Sequence, residues 1–319
     1  MSRWLITGGA GYIGSHAVRE FLEAGYDVTV LDDLSSGHRE FLHPDARFVE
    51  GSLLDNDALT TALEGVTGVV HFGGYKYAGE SVKRPMHTYE QNVTGTVRLL
   101  EACNNASVEF FVFSSSAAVY GTPDVAQVTE ETPTRPESPY GETKLIGEWL
   151  LKDAQKAFGL KHTSLRYFNV IGSGDLSLRD TSPHNLIPLV FAALTAGKTP
   201  SINGNDYPTP DGTCVRDYVD VSDIAKAHVA AAGRLESSLP VEPVYNLGAG
   251  EGVSVLQIMQ TVSEVTGHDF EPGINPRRPG DPARIVADGS LAARDLKWEN
   301  RADLAGTIKN AWLAELESR

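Results

Sequence analysis

The chain has 319 residues, a length typical of about two domains or of one large α/β domain with an addition. Hydrophobic residues make up 41% of the sequence and charged residues 22%, which excludes a disordered chain. The formal net charge of −15 argues against a nucleic-acid partner, because a field of that sign repels phosphate backbones.

Membrane and metal association are also disfavoured by the sequence. No apolar run approaches the roughly 20 residues that span a bilayer, and the N-terminus lacks the apolar segment of a signal peptide. Cys103 and Cys214 do not have the spacing of a metal site or of a disulfide framework, so we expect a soluble, cytoplasmic protein without a metal. Several histidines also lack ligand spacing and are interpreted as structural: His16, His71, His162 and His184.

Short apolar runs alternate with helical patterns through the first half of the chain. Strands are predicted at Trp4–Thr7, Asp27–Leu31, Phe48–Glu50, Val69–Phe72, Glu109–Ser114 and Leu160–Phe168. Helices are predicted near Gly14–Ala24, Thr88–Ala102 and Tyr140–Phe158, and later at Pro183–Ala196, at Asp220–Ala232 and two or three times after Ser254, with one more strand at Val244–Leu247. The alternation predicts an α/β fold in which helices cover both faces of a doubly wound parallel sheet.

A glycine-rich turn, TGGAGYIG, follows the first predicted strand and opens the first helix. Gly8 permits a tight turn, Gly11 lets the backbone approach a pyrophosphate, and Gly14 lets the helix pack on the strand. Asp32 ends the second strand at the spacing of a carboxylate that holds an adenosine ribose, which favours NAD over NADP. The alternative is that these are only turn and loop residues. The next polar residues fit a turn cap and an adenosine-phosphate contact equally: Asp33, Ser35 and Ser36.

The two halves of the chain are not separated by a linker, a repeat or a low-complexity tract. We therefore expect interleaved domains, the second growing out of loops of the first. A Rossmann-type NAD-binding domain is predicted over residues 1–168, with segments near 214–250 returning to it. A smaller substrate domain is predicted over residues 169–319.

Tyr140 and Lys144 form the second chemical signal, because residues four apart share one face of a helix. The ordinary pKa of tyrosine is near 10, but a neighbouring ammonium and a nicotinamide cation could lower it by about 3. Ser114–Ser116 ends a strand, where open parallel sheets bind ligands. The pattern predicts proton abstraction from a carbinol whose carbon gives up a hydride. The alternative is an exposed tyrosine and lysine on an amphipathic helix.

Longer motifs extend from residue 1 to about residue 290. They read TGGAGYIGSH, LDDLSSG, VVHFGGYK, ESVKRP, FSSSAAVYG, SPYGETK, LRYFNVIG, GNDYPTPDGTCVRDYVDV, YNLGAG and RRPGD. Together they resemble the extended short-chain dehydrogenases and, among these, the UDP-glucose 4-epimerases. The resemblance implies an isomerase of galactose metabolism that interconverts UDP-galactose and UDP-glucose through a 4-keto sugar and tightly bound NAD.

The resemblance also implies roles for individual residues. Tyr140 is the implied base, Lys144 its activator, and Ser116 the partner on the sugar hydroxyl. The other implied cofactor contacts are Gly8, Gly11, Tyr12, Ile13, Gly14, Asp32, Asp33, Ser35, Ser36, Gly37, Ser52, Leu53, Phe72, Gly73, Gly74, Lys76, Asn92, Ser114, Tyr167 and Phe168. The other implied contacts to the sugar nucleotide are Lys76, Asn169, Asn185, Leu186 and Asn203. Arg216 and Arg278 are implied to bind the diphosphate, and Asp281 the uridine ribose.

Three positions depart from the pattern of the family. Ser52 stands where the family usually has aspartate, which removes one implied hydrogen bond to adenine. Asn203 occupies a position near uracil that is often apolar. Ile285 occupies the position at which a bulky aromatic excludes acetamido sugars and a small residue admits them. Isoleucine is intermediate, so UDP-N-acetyl sugars stay open as substrates.

Rival interpretations concern both the reaction and the arginines. A 4-epimerase of UDP-N-acetylglucosamine or UDP-xylose, a nucleotide-sugar reductase and an NAD-sensing binding protein are the rivals. The tyrosine–lysine pair disfavours the last of these, and the absence of a carboxylate in Ser116–Tyr120 disfavours dehydratases and decarboxylases. Arg278 could be a loop residue, and Arg216 could form a salt bridge with Asp217.

A homodimer is implied by the resemblance. Two helical segments could form a two-fold bundle, Val97–Ala102 and Ile146–Leu151. The alternative is that both pack on the sheet of their own subunit.

Overall fold

The architecture is that of a computed structural model, which describes residues 2–237, 239–278 and 281–318. The strands are β1 Arg3–Thr7, β2 Asp27–Asp32, β3 Arg47–Glu50, β4 Gly68–His71, β5 Phe110–Ser116, β6 Lys161–Tyr167, β7 Asn169–Ile171, β8 Ser201–Asn203, β9 Val215–Asp220, β10 Val244–Leu247, β11 Gly252–Ser254, β12 Gly273–Asn275 and β13 Arg284–Ile285. The helices are α1 Tyr12–Glu23, α2 Asn56–Ala62, α3 Ala78–Lys83, α4 Pro85–Tyr89, α5 Gly95–Asn105, α6 Pro139–Phe158, α7 Leu186–Thr195, α8 Val221–Glu236, α9 Val255–Thr266, α10 Ser290–Leu296 and α11 Leu304–Glu317.

The largest sheet has seven strands in the order β3-β2-β1-β4-β5-β6-β10. Every neighbouring pair in it is parallel. The strand order reverses direction between β1 and β4, and open sheets bind their ligands in the crevice at such a switch point. The predicted α/β class with a doubly wound, Rossmann-type parallel sheet is confirmed.

Alternation of side chains along the strands builds two separate apolar layers on this sheet. Trp4 and Ile6 pack with residues of α1 and α8 on one face. Leu5 lies between them in sequence and packs with residues of α2, α5 and α6 on the other face. Both faces of the parallel sheet are therefore covered, which explains why its strands read as nearly continuous apolar runs.

The remaining strands form a smaller layer beside the carboxyl ends of the large sheet. Strand β9 pairs with β7 and β13 in parallel and with β11 in the antiparallel direction. An apolar core joins this layer to helices α7, α9 and α11 and includes Phe191, Ile258 and Trp312. Strand β8 pairs with β12 and carries Asn203 at its end.

Two predicted helices differ in their bounds and regularity. The helix predicted at Thr88–Ala102 is divided into α4 and α5 by a π-helical turn at Glu90–Thr94. The apolar pattern did not reveal this turn, because a π turn adds one residue without interrupting the buried face. The helix predicted from Pro183 begins at Leu186, so Pro183 precedes it and Pro188 lies in its first turn.

Three properties of the chain concern membranes, metal ions and cysteine thiols. Among the described residues, no helix combines the length and the apolar character that membrane crossing requires. No cluster of three or more His, Cys, Asp and Glu side chains within residues 2–237, 239–278 and 281–318 is arranged to hold a metal ion. Cys103 and Cys214 are both free thiols and both buried.

Candidate active site

The glycine-rich turn after β1 leaves no room for side chains. Gly8 has φ +71°, and a Cβ on it would lie 2.8 Å from the backbone nitrogen of Gly73. A Cβ on Gly14 would lie 2.2 Å from the carbonyl oxygen of Gly8. Helix α1 then begins after Gly11, which offers no side-chain cap to the first helical N–H groups. These N–H groups and the helix dipole form a cradle suited to an anion such as a pyrophosphate.

Asp32 at the end of β2 is held close to this turn. Its carboxylate accepts hydrogen bonds from the backbone nitrogens of Ala10 at 3.0 Å and Leu34 at 2.9 Å. Burial raises the pKa of Asp32, and these two N–H groups act in the opposite direction. A Cβ on Gly37 would lie 2.7 Å from the Asp32 carboxylate, so the glycine permits the loop to fold over it. Asp32 therefore lies where the sequence predicted an adenosine-ribose ligand, with part of its hydrogen-bonding capacity already used.

The loop after β2 and the segment after β3 are shaped by short local hydrogen bonds. Asp33 accepts from the backbone nitrogen of Ser35 at 2.9 Å, so it caps the turn that carries Ser36. Ser52 accepts from the backbone nitrogen of Leu54 at 3.2 Å. This bond uses one acceptor position of the Ser52 hydroxyl and none of its donor capacity. Leu53 packs against Gly73 and Gly95, between the two loops.

The loop after β4 completes the crevice. Phe72 packs on His228 with ring centroids 4.5 Å apart, and Gly73 donates from its backbone nitrogen to the Thr7 hydroxyl at 3.1 Å. Gly74 has φ +144°, and a Cβ there would lie 2.7 Å from the side-chain oxygen of Asn92. The loop residues therefore approach the glycine-rich turn through backbone rather than side-chain contacts.

Asn92 fixes the chain just before Lys76. Its side chain accepts from the backbone nitrogen of Tyr75 at 2.6 Å and donates to the Tyr75 carbonyl at 3.0 Å. Lys76 is exposed, and its ammonium lies 5.7 Å from the centroid of the Tyr77 ring. The Lys76 charge lowers the pKa of Asp32, against the larger effect of burial. Lys76 therefore lies close enough to Asp32 for its charge to act on that carboxylate, and Asn92 orders the loop.

Tyr140, Ser116 and Lys144 meet at the carboxyl edge of the large sheet. Helix α6 begins there because Ser138 accepts a hydrogen bond from the Gly141 nitrogen and Pro139 occupies the first helical position. The Ser116 hydroxyl lies close enough to the Tyr140 hydroxyl to lower its pKa. The Lys144 ammonium donates to the Ser114 carbonyl at 2.8 Å and lies 5.7 Å from the centroid of the Tyr140 ring. Lys144 is buried, so the alternative of an exposed lysine on an amphipathic helix is wrong.

Burial determines the titration of this pair. It raises the pKa of Tyr140, and the nearby Ser116 hydroxyl acts against that rise. Burial also lowers the pKa of Lys144 to about 8. Tyr140 is therefore a poor base in the protein alone, and a further positive charge beside it is needed to stabilise its phenolate. This requirement agrees with the nicotinamide cation expected from the sequence.

Tyr167 and Phe168 line the same edge at the end of β6. Tyr167 and Ser114 share a hydrogen bond between their hydroxyl groups. Phe168 belongs to a buried apolar cluster that also includes Tyr120, Leu145 and Ile285. Ile285 thus packs against the segments that carry Ser116 and Tyr140, at the rim expected to limit the size of the sugar.

On the side of the smaller layer, Arg216 and Asp281 lie together. One guanidinium nitrogen of Arg216 is 3.7 Å from a carboxylate oxygen of Asp281. The alternative salt bridge between Arg216 and Asp217 is wrong. The Asp217 carboxylate instead accepts hydrogen bonds from the backbone nitrogens of Ala249, Gly250 and Ala287.

Arg278 lies in the same region, in the loop that follows β12 and also carries Asp281. With the amide of Asn203 oriented towards it, the Asn203 oxygen accepts from Arg278 Nε at 2.9 Å and Nη2 at 3.2 Å. Arg277 anchors the adjoining turn through Asp206 at 2.6 Å. Arg278 is therefore held by a neutral amide rather than by a carboxylate, which leaves its positive charge available to an anion. Residues Pro279 and Gly280 of the RRPGD motif lie outside the described residues.

The other predicted contacts are distributed around the crevice. Asn169 is exposed on β7 and lies close enough to Tyr218 to lower the pKa of its hydroxyl, against a larger rise from burial. Asn185 precedes α7 and donates to Asp180 at 2.7 Å, and Leu186 is the first residue of that helix. Tyr12 is buried and donates to the carbonyl of a residue in the second half of the chain, so its backbone rather than its side chain faces the cradle. Ile13 is partly buried beside the core.

Sequence reasoning missed Asp180 and the contacts of His71 near this site. Asp180 contacts Asn185 and lies close enough to Lys76 for that charge to lower its pKa, against a larger rise from burial. No motif marks it. His71 was interpreted as structural, yet its ring joins Thr7 to Thr96 directly behind the cradle. The signal that could have found it is the polar run at the end of a strand, HFGG.

Comparison with known proteins gives a consistent result. The family model described as the NAD dependent epimerase/dehydratase family matches residues 4–248. The UDP-glucose 4-epimerase of Lactobacillus helveticus is 44% identical, over 97% of this chain and 95% of the relative. The crystal structure of the UDP-glucose 4-epimerase from Brucella ovis with NAD has a TM-score of 0.93 and 38% identity, covering 98% of each chain. That of the Bifidobacterium longum enzyme with NAD+ and UDP also has a TM-score of 0.93, with 35% identity over 99% of this chain and 98% of that one.

Proposed function

This chain belongs to the NAD-dependent epimerase/dehydratase family, and from that premise we propose that it interconverts UDP-galactose and UDP-glucose as a UDP-glucose 4-epimerase. The observation that carries this function is the group formed by Tyr140, Ser116 and Lys144 at the carboxyl edge of the sheet, with the Lys144 ammonium 5.7 Å from the centroid of the Tyr140 ring. It lies on the same edge as the glycine-rich cradle after β1. The resemblance found from the motifs is confirmed, and the rival reactions are not favoured.

NAD is the cofactor, and the crevice fits it. Backbone atoms line the cradle where the turn and the helix meet. A Cβ on Gly14 would lie 2.2 Å from the carbonyl oxygen of Gly8. Pyrophosphate would be held by the N–H groups at the start of α1, and the adenosine ribose by Asp32. The buried Asp32 carboxylate would repel a 2′-phosphate, which favours NAD over NADP. The chemistry that NAD supplies when bound is a reversible acceptor for the hydride of the sugar C4.

The side chains at the sheet edge accept and return the proton of the sugar 4-hydroxyl. Tyr140 takes the proton of the sugar 4-hydroxyl, and Ser116 hydrogen-bonds the same oxygen. Lys144 would hold the ribose of the cofactor. In its protonated form its positive charge also stabilises the Tyr140 phenolate. When the 4-keto sugar has presented its other face, Tyr140 returns the proton. No carboxylate follows Ser116 in the segment up to Tyr120, so this segment offers no group to expel water or assist decarboxylation.

The sugar nucleotide is gripped by its diphosphate and nucleoside. We assign Arg216 and Arg278 to the phosphates, since a guanidinium fork matches phosphate oxygens. Asp281, beside Arg216, is assigned to the uridine ribose. The hexose itself is held by few groups, which lets the keto sugar turn. The remaining contacts that we propose are Asn169, Asn185, Leu186, Asn203 and Lys76.

We propose the same division of the chain that the sequence predicted, residues 1–168 for NAD and residues 169–319 for the sugar nucleotide. Support comes from β10, which pairs with β6 in the large sheet although it lies far along the chain. Helix α8 likewise packs on the same face as α1. The segments near 214–250 therefore return to the NAD side.

A homodimer and a cytoplasmic location are further proposals. Within the two segments expected at the interface, Leu99, Leu100 and Leu151 pack on the sheet of the subunit itself. Trp149 on α6 is 56% exposed, which supports a partner over that face. The two buried free thiols support a reducing compartment.

The proposed activity is tested with purified protein and no added cofactor. UDP-galactose, UDP-N-acetylglucosamine and UDP-xylose are incubated separately, and the anomeric proton signals are followed by NMR. We expect UDP-galactose and UDP-glucose to reach an equilibrium mixture. Conversion of only another UDP-sugar would reassign the substrate, and a requirement for stoichiometric reduced cofactor would identify a reductase.

A further inference from the structure

A continuous line of buried hydrogen bonds runs behind the cofactor cradle and centres on His71. The backbone nitrogen of Gly73 donates to the Thr7 hydroxyl at 3.1 Å, and that hydroxyl lies 2.7 Å from His71 Nδ1. On the other side of the ring, Nε2 lies 3.0 Å from the Thr96 hydroxyl, which donates to the Asn92 carbonyl at 2.5 Å. His71 is 1% exposed and lies between the rings of two phenylalanines of β5.

The direction of every bond in this line follows from its neighbours. The Thr96 hydroxyl has a single proton. Because its oxygen lies closer to the Asn92 carbonyl, at 2.5 Å, than to His71 Nε2, at 3.0 Å, we assign the proton to the carbonyl bond, and the hydroxyl then accepts from Nε2. Burial and the charge of Lys144 lower the pKa of His71 to about 3, so the ring is neutral and carries one proton. Nδ1 is therefore an acceptor, and the Thr7 hydroxyl donates to it. The ring is fixed as the Nε2–H tautomer.

The line continues from Asn92 to the backbone of the proposed base. The Asn92 amide donates to the Thr143 hydroxyl at 2.9 Å, and Thr143 donates to the Tyr140 carbonyl at 2.8 Å. The same amide clamps both backbone groups of Tyr75, next to Lys76. Asn92 lies in the π-helical turn at Glu90–Thr94 that divides α4 from α5, and such turns often occur at functional sites.

We propose that His71 is a positioning residue, whose fixed tautomer ties the loop after β4 to the turn of α6 that carries Tyr140. It touches neither reacting group. Its ring sets the distance between Thr7, which holds Gly73, and Thr96, which holds the carbonyl of Asn92. A displaced ring would shift the cradle and the base relative to each other. This inference rests on the proposed function only for its kinetic readout.

The chain offers a matched control in His162. His162 is also a buried histidine of the large sheet, on β6, and it pairs in register with Phe111. Its Nδ1 has no hydrogen-bond partner within the described residues. Burial lowers its pKa to about 4, so it too is neutral. Substitution of His162 therefore measures the cost of changing a buried ring in this sheet without touching the line of bonds.

The test compares the holoenzyme of the wild type with His71→Phe, Thr96→Val and His162→Phe. Measured quantities are kcat and KM for UDP-galactose, NAD released per chain on denaturation, and the melting temperature. For His71→Phe and Thr96→Val we expect kcat to fall about 10- to 100-fold, because small displacements of positioned groups are costly, with KM changed less than threefold. His162→Phe should keep the kcat and NAD content of the wild type.

The tautomer gives a readout independent of activity. In ¹⁵N NMR spectra the His71 ring should show the pattern of a neutral Nε2–H imidazole from pH 5 to 8 and lose it partly in Thr96→Val. An Nδ1–H pattern in the wild type would overturn the proposal. Wild-type kcat and NAD content in His71→Phe would also overturn it, as would an equal kcat loss in His162→Phe. If His71→Phe fails to fold, the kcat and NAD content of the nearly isosteric Thr96→Val variant decide between the two outcomes. A wild type inactive on UDP-galactose that shows the expected tautomer would refute the proposed function alone.

Discussion

The two halves of the crevice are built in different ways. On the cofactor side, backbone atoms and buried polar groups leave almost no freedom, as the overlap of a Cβ on Gly14 and the two N–H bonds to Asp32 illustrate. On the sugar-nucleotide side, the groups are side chains at the ends of short strands and loops. Arg216 contacts the Asp281 carboxylate at 3.7 Å, and Arg278 contacts the amide of Asn203.

This difference matches the different demands on the two ligands. A cofactor that stays bound through every turnover gains from a preformed site, because little ordering entropy is lost on binding. A hexose that must present both faces to the same hydride acceptor gains from a site with few fixed contacts. The diphosphate can be gripped by long side chains, since a guanidinium adapts to phosphate oxygens without a rigid backbone.

The largest expected effect concerns the point where the two halves meet. Tyr140→Phe removes the only atom that is proposed to move the proton, while Ser116 and Lys144 remain. We expect kcat to fall about 10²- to 10⁴-fold, the range typical of a lost general base. Binding of UDP, measured by calorimetry, should stay within threefold of the wild type. Near-normal turnover in this variant would remove Tyr140 from the mechanism.

The next effect tests the preformed nature of the cofactor side. Gly14→Ala places a methyl group 2.2 Å from the Gly8 carbonyl, so the turn must open and we expect NAD affinity to fall about 100-fold. The measurement is the NAD content of the purified protein together with its affinity after removal of bound cofactor. The matched control is Gly79→Ala, since a Cβ on Gly79 meets no atom within 4 Å. Equal NAD retention in the two variants would show that the cradle is not preformed.

A third effect comes from the buried charge on the cofactor side. Since burial lowers the pKa of Lys144 from 10.5 to about 8, the unfolded chain binds more protons between these two values. The free energy of unfolding should therefore rise with pH across that window, by roughly 3 kcal/mol from this group alone. Lys144→Met should remove that part of the rise. Chemical denaturation of both cofactor-free proteins at pH 7.5 and 10.5 measures their free energies of unfolding. An equal rise in this free energy with pH in the two proteins would contradict the burial of the Lys144 ammonium.

The smallest effect is expected on the sugar-nucleotide side. Arg216→Lys keeps the charge but loses the fork, so we expect KM for UDP-galactose to rise about tenfold with little change in kcat. Arg234→Lys is the control, because Arg234 lies near the far end of α8 and contacts Asp295. A loss in kcat rather than KM would mean that Arg216 shapes the catalytic groups as well as the diphosphate site.

The same contrast decides what the sequence could predict. The cofactor side is encoded locally, since Gly8–Gly14 and Asp32 belong to consecutive elements whose spacing is set by one strand–helix–strand unit. Arg216, Arg278 and Asp281 lie on a strand and a loop far apart in the chain. No spacing rule brings such residues together, and only the family resemblance indicated their roles.

Two features that sequence reasoning missed depend on how the elements pack in three dimensions. The π-helical turn at Glu90–Thr94 continues the buried pattern of its neighbours, so periodicity shows one unbroken helix. His71 has no ligand spacing, and its importance depends on Thr7 and Thr96, which reach it from other elements. Properties that arise from contacts between distant segments require coordinates.

The central claim is that one carbon loses and regains the same hydride while the cofactor stays bound. It is tested most directly with UDP-galactose carrying deuterium at C4, incubated in ordinary water with purified protein and no added cofactor. NMR and mass spectrometry then locate the isotope in the UDP-glucose formed. We expect deuterium to be retained at C4. Its replacement by solvent hydrogen, or a requirement for added cofactor that is consumed, would contradict the account.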